Sequence, residues 1–447
     1  MPSAVLSDPA AGERRWKRAF LWLAVLGTLF FSTYGAANWI ASQRADVGSL
    51  VFGWERAIPF WAWSIVPYWA IDAFYGLSLF VCTTRAELMT HVKRLLSAQA
   101  IAVACFTAFP LRFTFERPQT DGLFGAMFDL LMGFDRPFNQ APSLHIILLV
   151  ILWVRYAKHF PASARWFLHA GFFMIGASVL TTYQHHFIDI PTGLWVGWLC
   201  IWLFPDNAPS MLSRFSLTAE PRRRRIACFY ALASLSVAFV AIAVGGAAFF
   251  LLWITGSLLL VAMIYLALDE AAFQKKPDGT MSVASWWLLA PYFIGAWINS
   301  RAWTRVGNRV DHVHSGVLLG RIPSAGDLAE AGVRSVVDLT AELPLDSHGR
   351  AYHNVPVLDL TLPTVAQLAT AARTIEAAVA GGPTLVCCAL GFSRSALACA
   401  AWLLLTGRTD SVEHALAQLR QARPSVVLGD DHVARLRQFA ASSGLAR

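Results

Sequence analysis

The sequence predicts an all-α polytopic membrane bundle followed by a small α/β domain, and three observations lead there. The first is composition: 56% of the 447 residues are hydrophobic and 14% are charged, with a mean hydropathy of +0.50, whereas soluble domains carry roughly 25% charged residues. A chain that is soluble along its whole length is thereby excluded. The second is a series of apolar runs of near-bilayer length separated by basic connections. The third is a switch at Arg301 to a soluble composition, in which short β-type stretches alternate with helical ones. The net charge of +8, 36 Lys and Arg against 28 Asp and Glu, points to membrane orientation and not to nucleic acid, because many of the basic residues flank apolar runs. Seven cysteines, an odd number with four in or beside apolar runs, make no disulfide framework.

Taken in order, the run 19–40 follows Arg14, Arg15, Lys17 and Arg18 and is too long for a signal-peptide core, so it is expected to span from a cytoplasmic start. Runs at 60–82, 95–109, 143–154, 166–181 and 187–204 complete a bundle of six helices. Basic residues mark alternate connections: Arg85, Lys93 and Arg94 in one, Arg155, Lys158 and Arg165 in a second, and the arginines from Arg222 to Arg225 after the sixth run. The positive-inside rule assigns these to the cytoplasm and leaves 111–142 and the turn at His185 on the outer side. Two further spans, 226–244 and 247–266, lead to a loop with Lys275 and Lys276. The run 282–299 contains Pro291 and has basic residues at both ends, which suits an interfacial or re-entrant helix better than a ninth span. Beyond it, strands at 335–339 and 384–388 and helices at 365–380, 395–405 and 412–423 are predicted.

The stretch Leu385-Val386-Cys387-Cys388-Ala389-Leu390-Gly391-Phe392-Ser393-Arg394-Ser395 reads as an apolar strand, a short loop and a helix start. The N–H groups of such a loop, with the helix N-terminus, bind a phosphoryl dianion and favour a thiolate, and Gly391 lets the backbone close around it. Arg394 is placed to grip two phosphate oxygens, and the Ser395 hydroxyl to ease release of the thiolate. A Cys, five residues, an Arg and a Ser resemble the protein tyrosine phosphatase signature. The resemblance to dual-specificity phosphatases runs from about Val313 to the C-terminus and includes Gly320-Arg321-Ile322-Pro323-Ser324 and 332–340. It implies a dual-specificity phosphatase-like α/β domain with Cys388 as nucleophile and Asp359, 29 residues upstream, as general acid. Cys387 stands where the family usually carries His, which implies either weaker thiolate activation or a redox partner for Cys388. Residues 389–393 include no Lys or Arg, which disfavours polyphosphoinositides. Leu390 and Phe392 form an apolar rim suited to a phosphomonoester at a membrane surface or to phosphotyrosine.

In the membrane bundle, Pro142-Ser143-Leu144-His145 opens one run and His185-His186-Phe187-Ile188-Asp189 leads into another. His145 and His185 are 40 residues apart, one helix down and one helix back, so both return to the outer face. This pattern resembles the type 2 phosphatidic acid phosphatase superfamily, in particular its inositol phosphorylceramide synthase and sphingomyelin synthase branch, whose motifs read Ser-x-His and His-x-x-x-Asp. The resemblance implies His185 as the nucleophile on phosphorus, Asp189 as the group fixing its tautomer, His145 as proton donor to the leaving alkoxide and Ser143 as a phosphate ligand. The superfamily's usual cations are missing: Val179 stands six residues before His185, and Pro110 seven before Arg117. Arg117, or Arg136 in a second Arg-Pro pair, is then the candidate phosphate clamp, and the loss resembles the transferase branch. His186 and Asp135 are read as structural.

The two resemblances, joined as in bacterial membrane phosphatases, imply a six-helix phosphatidic acid phosphatase-like domain at 1–210, two further spans plus the interfacial helix at 211–300, and the phosphatase domain at 301–447. The expected function is hydrolysis of phosphomonoesters, foremost of phospholipids, through a phosphocysteine at Cys388, with a second histidine-based phosphatase or head-group phosphotransferase site in the membrane. The alternative is a membrane-anchored protein tyrosine or dual-specificity phosphatase whose membrane domain is an anchor. Neither mechanism calls for a cofactor or metal. The expected partner is a phospholipid in the membrane, or a phosphoprotein in the alternative, and not nucleic acid. The chain is expected to be multi-pass in the inner membrane with eight spans, which leaves the Cys388 domain in the cytoplasm; nine would put both sites on one face.

Overall fold

The computed structural model describes residues 9–444; the outermost parts of the first and last predicted domains, 1–8 and 445–447, lie outside it. The chain divides into two units that meet between Ser213 and Arg214. The first holds α1 (Pro9–Ser42), α2 (Ile65–Val81), α3 (Arg85–Ala108), α4 (Gly122–Phe134), α5 (Leu144–His159), α6 (Arg165–Thr181) and α7 (Asp189–Leu203). α5 is its core helix, packed on α2, α3, α6 and α7. The approach of α7 to α5 depends on Gly193 and Gly197, one turn apart: a Cβ there would lie 2.8 Å from the Cβ of Ile146 and of Val150 respectively. Small residues at this spacing let helix backbones close together inside a membrane. The consequence is that α5 and α7 start side by side, with the Ser143 N–H donating to the Asp189 carbonyl at 3.2 Å.

α3 corrects the expected boundary. The Thr84 hydroxyl accepts from the Glu87 N–H at 3.1 Å and starts the helix at Arg85, so Lys93 and Arg94 lie within a helix and not in a connection. Arg94 is buried; it donates to the Phe204 carbonyl at 2.9 and 2.7 Å and pairs with Asp206 at 3.2 Å. A buried guanidinium requires such partners, which position alone along the chain does not reveal.

Among the described residues, four helices are long and apolar enough to cross a membrane: Arg15–Ser42, Ala62–Val81, Pro221–Val244 and Gly246–Ala267. α5, α6 and α7, with 16, 17 and 15 residues, rise only about 22–26 Å, against a hydrocarbon core of about 30 Å.

The second unit begins with α8 (Pro221–Val244), α9 (Leu252–Ala267) and α10 (Val283–Trp303). α10 runs unbroken through Pro291 and past the expected end at 299, because its last turn has work in the α/β domain. The Ser300 hydroxyl donates to the Ala389 carbonyl, and Arg301 donates to the Ile322 carbonyl at 2.9 Å. Lys275, read from sequence as a topology signal, is in addition buried in an ion pair with Asp338 and donates to the Thr340 hydroxyl at 2.9 Å.

The α/β domain comprises β1 (Val310–His314), β2 (Val317–Arg321), α11 (Ala325–Glu330), β3 (Ser335–Thr340), β4 (Ala351–Val357), α12 (Val365–Val379), β5 (Thr384–Cys388), α13 (Arg394–Leu405), α14 (Val412–Ala422) and α15 (Asp430–Ser442). The sheet order is β1-β2-β5-β3-β4, with β1 antiparallel to β2 and the other pairs parallel. β5 is central and buried on both faces, as its unbroken apolar run requires. Eleven of the 12 residues of α13 are buried; a helix covered on all sides is a core helix, and at about 18 Å it is too short to be a span.

Candidate active sites

β5 ends at Cys388, and the chain turns through 389–393 into α13. The turn needs Gly391: its φ is +73°, and a Cβ there would stand 2.5 Å from the Gly320 carbonyl. The loop's carbonyls are each tied away from the cysteine. Ala389 accepts from Ser300, Leu390 and Gly391 accept from Arg423 at 3.5 and 3.1 Å, and Phe392 accepts from the Val427 N–H at 2.9 Å. The Gly391 N–H is left to donate to Cys388 Sγ at 3.2 Å, and the Ser395 hydroxyl donates to the same sulfur at 3.2 Å. Gly391→Ala is expected to lower stability by at least about 2 kcal/mol and to depress activity together with it; an unchanged unfolding midpoint of the full chain would contradict this account of the loop.

Arg394 is buried and held on every side. Both of its terminal nitrogens meet Glu342, at 3.0 and 2.7 Å, Nη1 donates to the Val357 carbonyl at 2.7 Å, and Nη2 lies 2.8 Å from Asp359 Oδ1. Burial alone would lower the pKa of this guanidinium, but the Glu342 and Asp359 carboxylates raise it well above the ordinary value. The structure therefore gathers Cys388, Gly391, Arg394, Ser395 and Asp359 at one place. The sequence reading missed Glu342 and Arg423; the only local signal for Glu342 was a carboxylate set between Ala341 and Leu343 just after a buried strand.

Cys387 faces away from Cys388, since successive strand residues alternate. It packs with Leu318, Val336 and Leu385 on one side of the sheet, while Cys388 packs with Val337 and Val386 on the other. Burial, reinforced by Asp338, pushes the Cys387 thiol far above its ordinary pKa. Of the two sequence-level alternatives for Cys387, this orientation speaks against the redox partner.

Residues 319–442 match the family model of the dual specificity phosphatase catalytic domain. The domain is a phosphoric monoester hydrolase of the dual-specificity phosphatase type. Among solved structures, the chain is similar to human DUSP28 at 30% identity, covering 30% of this chain and 96% of that one with a TM-score of 0.28. It is similar to Tk-PTP in its active form at 28%, covering 30% and 97% with a TM-score of 0.28. Similarity to PTPMT1 in complex with PI(5)P is 20%, covering 31% and 97% with a TM-score of 0.28. No curated protein matches the chain. The dual-specificity phosphatase domain thus accounts for the C-terminal third and leaves the first unit to be read from its own geometry.

There, His185 Nδ1 lies 3.0 Å from Asp189 Oδ2 and its Nε2 3.0 Å from the Ser143 hydroxyl, all three residues buried. Asp189 Oδ2 also accepts the His186 N–H at 3.1 Å. A proton on Nδ1, donated to Asp189, leaves Nε2 as the basic nitrogen. The structure brings Ser143, not His145, against His185. The His145 ring stacks on Tyr68 at 4.3 Å, and its Nε2 is buried with no hydrogen-bond partner among the described residues. The sequence reading put both Ser143 and His145 on the reacting group; of the two, Ser143 is the one that hydrogen-bonds His185 among the described residues. A cavity of about 470 Å³ opens beside His185 and is lined by Tyr34, Arg117, Asp135, Arg136 and Gln140. The Arg117 guanidinium lies 4.3 Å over the Phe128 ring, and Arg136 donates to the Ser42 hydroxyl at 3.4 Å. His186 is held between Glu55 at 3.0 Å and the Thr114 N–H at 3.2 Å, and Asp135 accepts from the Tyr34 hydroxyl at 2.9 Å. Glu55 and Tyr34 were not singled out from sequence, where each sits alone in an aromatic-rich stretch.

Proposed function

We propose that this chain is a membrane phosphatase that hydrolyses phosphomonoesters of phospholipids through a phosphocysteine at Cys388, in a chain organised as 1–210, 211–300 and 301–447. What supports the lipid preference is one observation: the loop carrying Asp359 is hydrogen-bonded to Tyr265, near the end of the apolar span Gly246–Ala267, with the Asp359 carbonyl 3.0 Å from the Tyr265 hydroxyl. With Gly246–Ala267 taken as a span, a phosphate at that site stands at the level of a bilayer headgroup.

In the first step the substrate phosphate displaces the Asp359 carboxylate from Arg394, the Cys388 Sγ–P bond forms and the P–O bond to the leaving group breaks. The displaced Asp359 carboxylate takes up a proton from the solvent and, as the carboxylic acid, passes it to the departing oxygen. In the second, water attacks phosphorus and gives its proton to Asp359. The S–P bond then breaks, the Ser395 hydroxyl stabilises the released thiolate, and inorganic phosphate leaves. Arg394 holds two phosphoryl oxygens through both steps.

The test is phosphate release by the full chain in mixed micelles from phosphatidic acid, phosphatidylglycerophosphate and a phosphotyrosine peptide. Lipid turnover that Cys388→Ser reduces to a small residue supports the reading. Turnover of the peptide alone means a signalling phosphatase on a membrane anchor.

The His185–Asp189 pair, with the Ser143 hydroxyl on its other nitrogen and two arginines lining the adjacent cavity, supports a second site of phosphatidic acid phosphatase type, on a histidine phospho-intermediate. Cys388→Ser is then expected to retain a residual lipid turnover that the double variant with His185→Ala loses. Equal residual rates in the single and double variants would remove the second site.

A further inference from the structure

The segment Pro356 to Asp359 has four carbonyls, and each is held. Gln367 Nε2 donates to Pro356 at 2.9 Å, Arg394 Nη1 to Val357 at 2.7 Å, the Thr361 hydroxyl to Leu358 at 2.8 Å and the Tyr265 hydroxyl to Asp359 at 3.0 Å. Three of the donors belong to the phosphatase domain. The fourth stands on α9, whose length and apolarity suit a bilayer. The residue after Asp359 also needs holding: Leu360 has φ +57°, a left-handed conformation that a branched side chain keeps only when its surroundings enforce it. The Tyr265 ring is itself fixed, fully buried and stacked on Tyr230 of α8 at 5.8 Å, while Tyr230 packs edge-on against Tyr292 of α10 at 5.7 Å. All three helices thus set the place of one hydroxyl.

We propose that Tyr265 is a positioning residue of the phosphatase site, orienting Asp359 from the end of α9, so that α8, α9 and α10 are part of the catalytic unit and not a tether. The inference rests on the reading of Asp359 as general acid. A proton donor works only within hydrogen-bond reach of the leaving oxygen, and a misplacement of about 1 Å can cost on the order of 10²-fold. Ser300 of α10 makes a contrasting contact, because it holds the carbonyl of Ala389 beside the nucleophile and does not touch the acid loop.

The experiment compares kcat/KM of the full chain for phenyl phosphate, whose leaving group needs a proton, with that for p-nitrophenyl phosphate, whose leaving group needs it far less. Breakdown of the phosphocysteine is common to both substrates, so kcat/KM isolates the step in which the leaving group departs. Tyr265→Phe removes one oxygen and keeps the ring packing. It is expected to lower kcat/KM about tenfold more for phenyl phosphate than for p-nitrophenyl phosphate, a muted copy of Asp359→Asn. Ser300→Ala is expected to lower both substrates by the same factor. A Tyr265→Phe enzyme that loses both equally, or neither, beside an Asp359→Asn enzyme with the steep leaving-group dependence overturns the proposal. An Asp359→Asn enzyme with no such dependence overturns the general-acid reading and the proposal with it.

Discussion

Cys388→Ser is expected to reduce turnover of an aryl phosphate by at least about 10³-fold while leaving the fold intact, because it removes the nucleophile and exchanges only one buried atom, sulfur for oxygen, in the core that Cys388 packs in. The sulfur receives the Gly391 N–H and the Ser395 hydroxyl, each at 3.2 Å, and both contacts stabilise a thiolate. A serine hydroxyl in the same place accepts the same hydrogen bonds but stays protonated, since its intrinsic acidity is far too weak for two such donors to ionise it. The measurement is steady-state release of nitrophenolate by wild type and variant, joined to mass spectrometry of rapidly quenched enzyme. Wild type should carry a phosphoryl adduct on the Cys388 peptide, and the variant should carry none. Cys387→Ala is the matched control: it empties a little volume in the apolar cluster on the opposite sheet face and should cost about 1 kcal/mol of stability without touching the reacting atoms. A Cys388→Ser enzyme with a tenth of wild-type turnover would sink the phosphocysteine mechanism.

What sequence could reveal at these sites follows the range of each interaction. The cradle around Cys388 is contiguous, so its strand, its loop Gly and the Arg and Ser that follow were legible as one pattern, and the structure gathers them together. Glu342 grips Arg394 across 52 residues, and a single buried carboxylate leaves no periodic trace. Tyr265 was hidden for a different reason: an aromatic near the end of an apolar run looks the same whether it meets lipid, headgroup or a neighbouring domain. Basic residues carried more than one message. Arg94 and Lys275 were read as markers of sidedness, and the structure shows in addition that both side chains are buried and paired, with Asp206 and Asp338. Composition cannot tell a solvated Lys or Arg from one whose partner lies far along the chain. The apolar runs at 60–82, 166–181 and 187–204 fall on helices because a long unbroken apolar stretch is a strong local signal, whereas the apolar helix α4 (Gly122–Phe134) lies inside the stretch read as an outer-side connection and makes a seventh helix where six were expected. The ends of the runs were less well placed: Thr84 starts α3 through a local cap in a Thr-x-x-Glu pattern that the sequence reading missed, and Ser300 acts through a contact that only the fold creates.

Arg394→Lys is expected to lower kcat/KM by about 10²–10³-fold even though the charge is retained. The guanidinium presents a planar fork whose two terminal nitrogens already bind both oxygens of Glu342, at 3.0 and 2.7 Å, with Nη1 also reaching the Val357 carbonyl. That lattice fixes the plane of the fork before any phosphate arrives. An ammonium is a point charge on a flexible stem and cannot bridge Glu342, Val357 and two phosphoryl oxygens at once. Part of the loss should therefore come from misplacement, and Glu342→Gln separates that part. Gln keeps the shape and one acceptor oxygen but offers an amide N–H₂ where the second arginine contact was, so the fork is left intact chemically and loosened in orientation. We expect about a tenfold fall in kcat/KM for Glu342→Gln, together with a lower unfolding midpoint because a buried cation has lost one of its two carboxylate partners, Glu342 and Asp359. If Arg394→Lys and wild type turned over an aryl phosphate equally, charge alone would suffice and the bidentate reading of Arg394 would fail. If Glu342→Gln changed stability but not kcat/KM, the carboxylate would be a folding partner of Arg394 and would have no part in presenting it to phosphate.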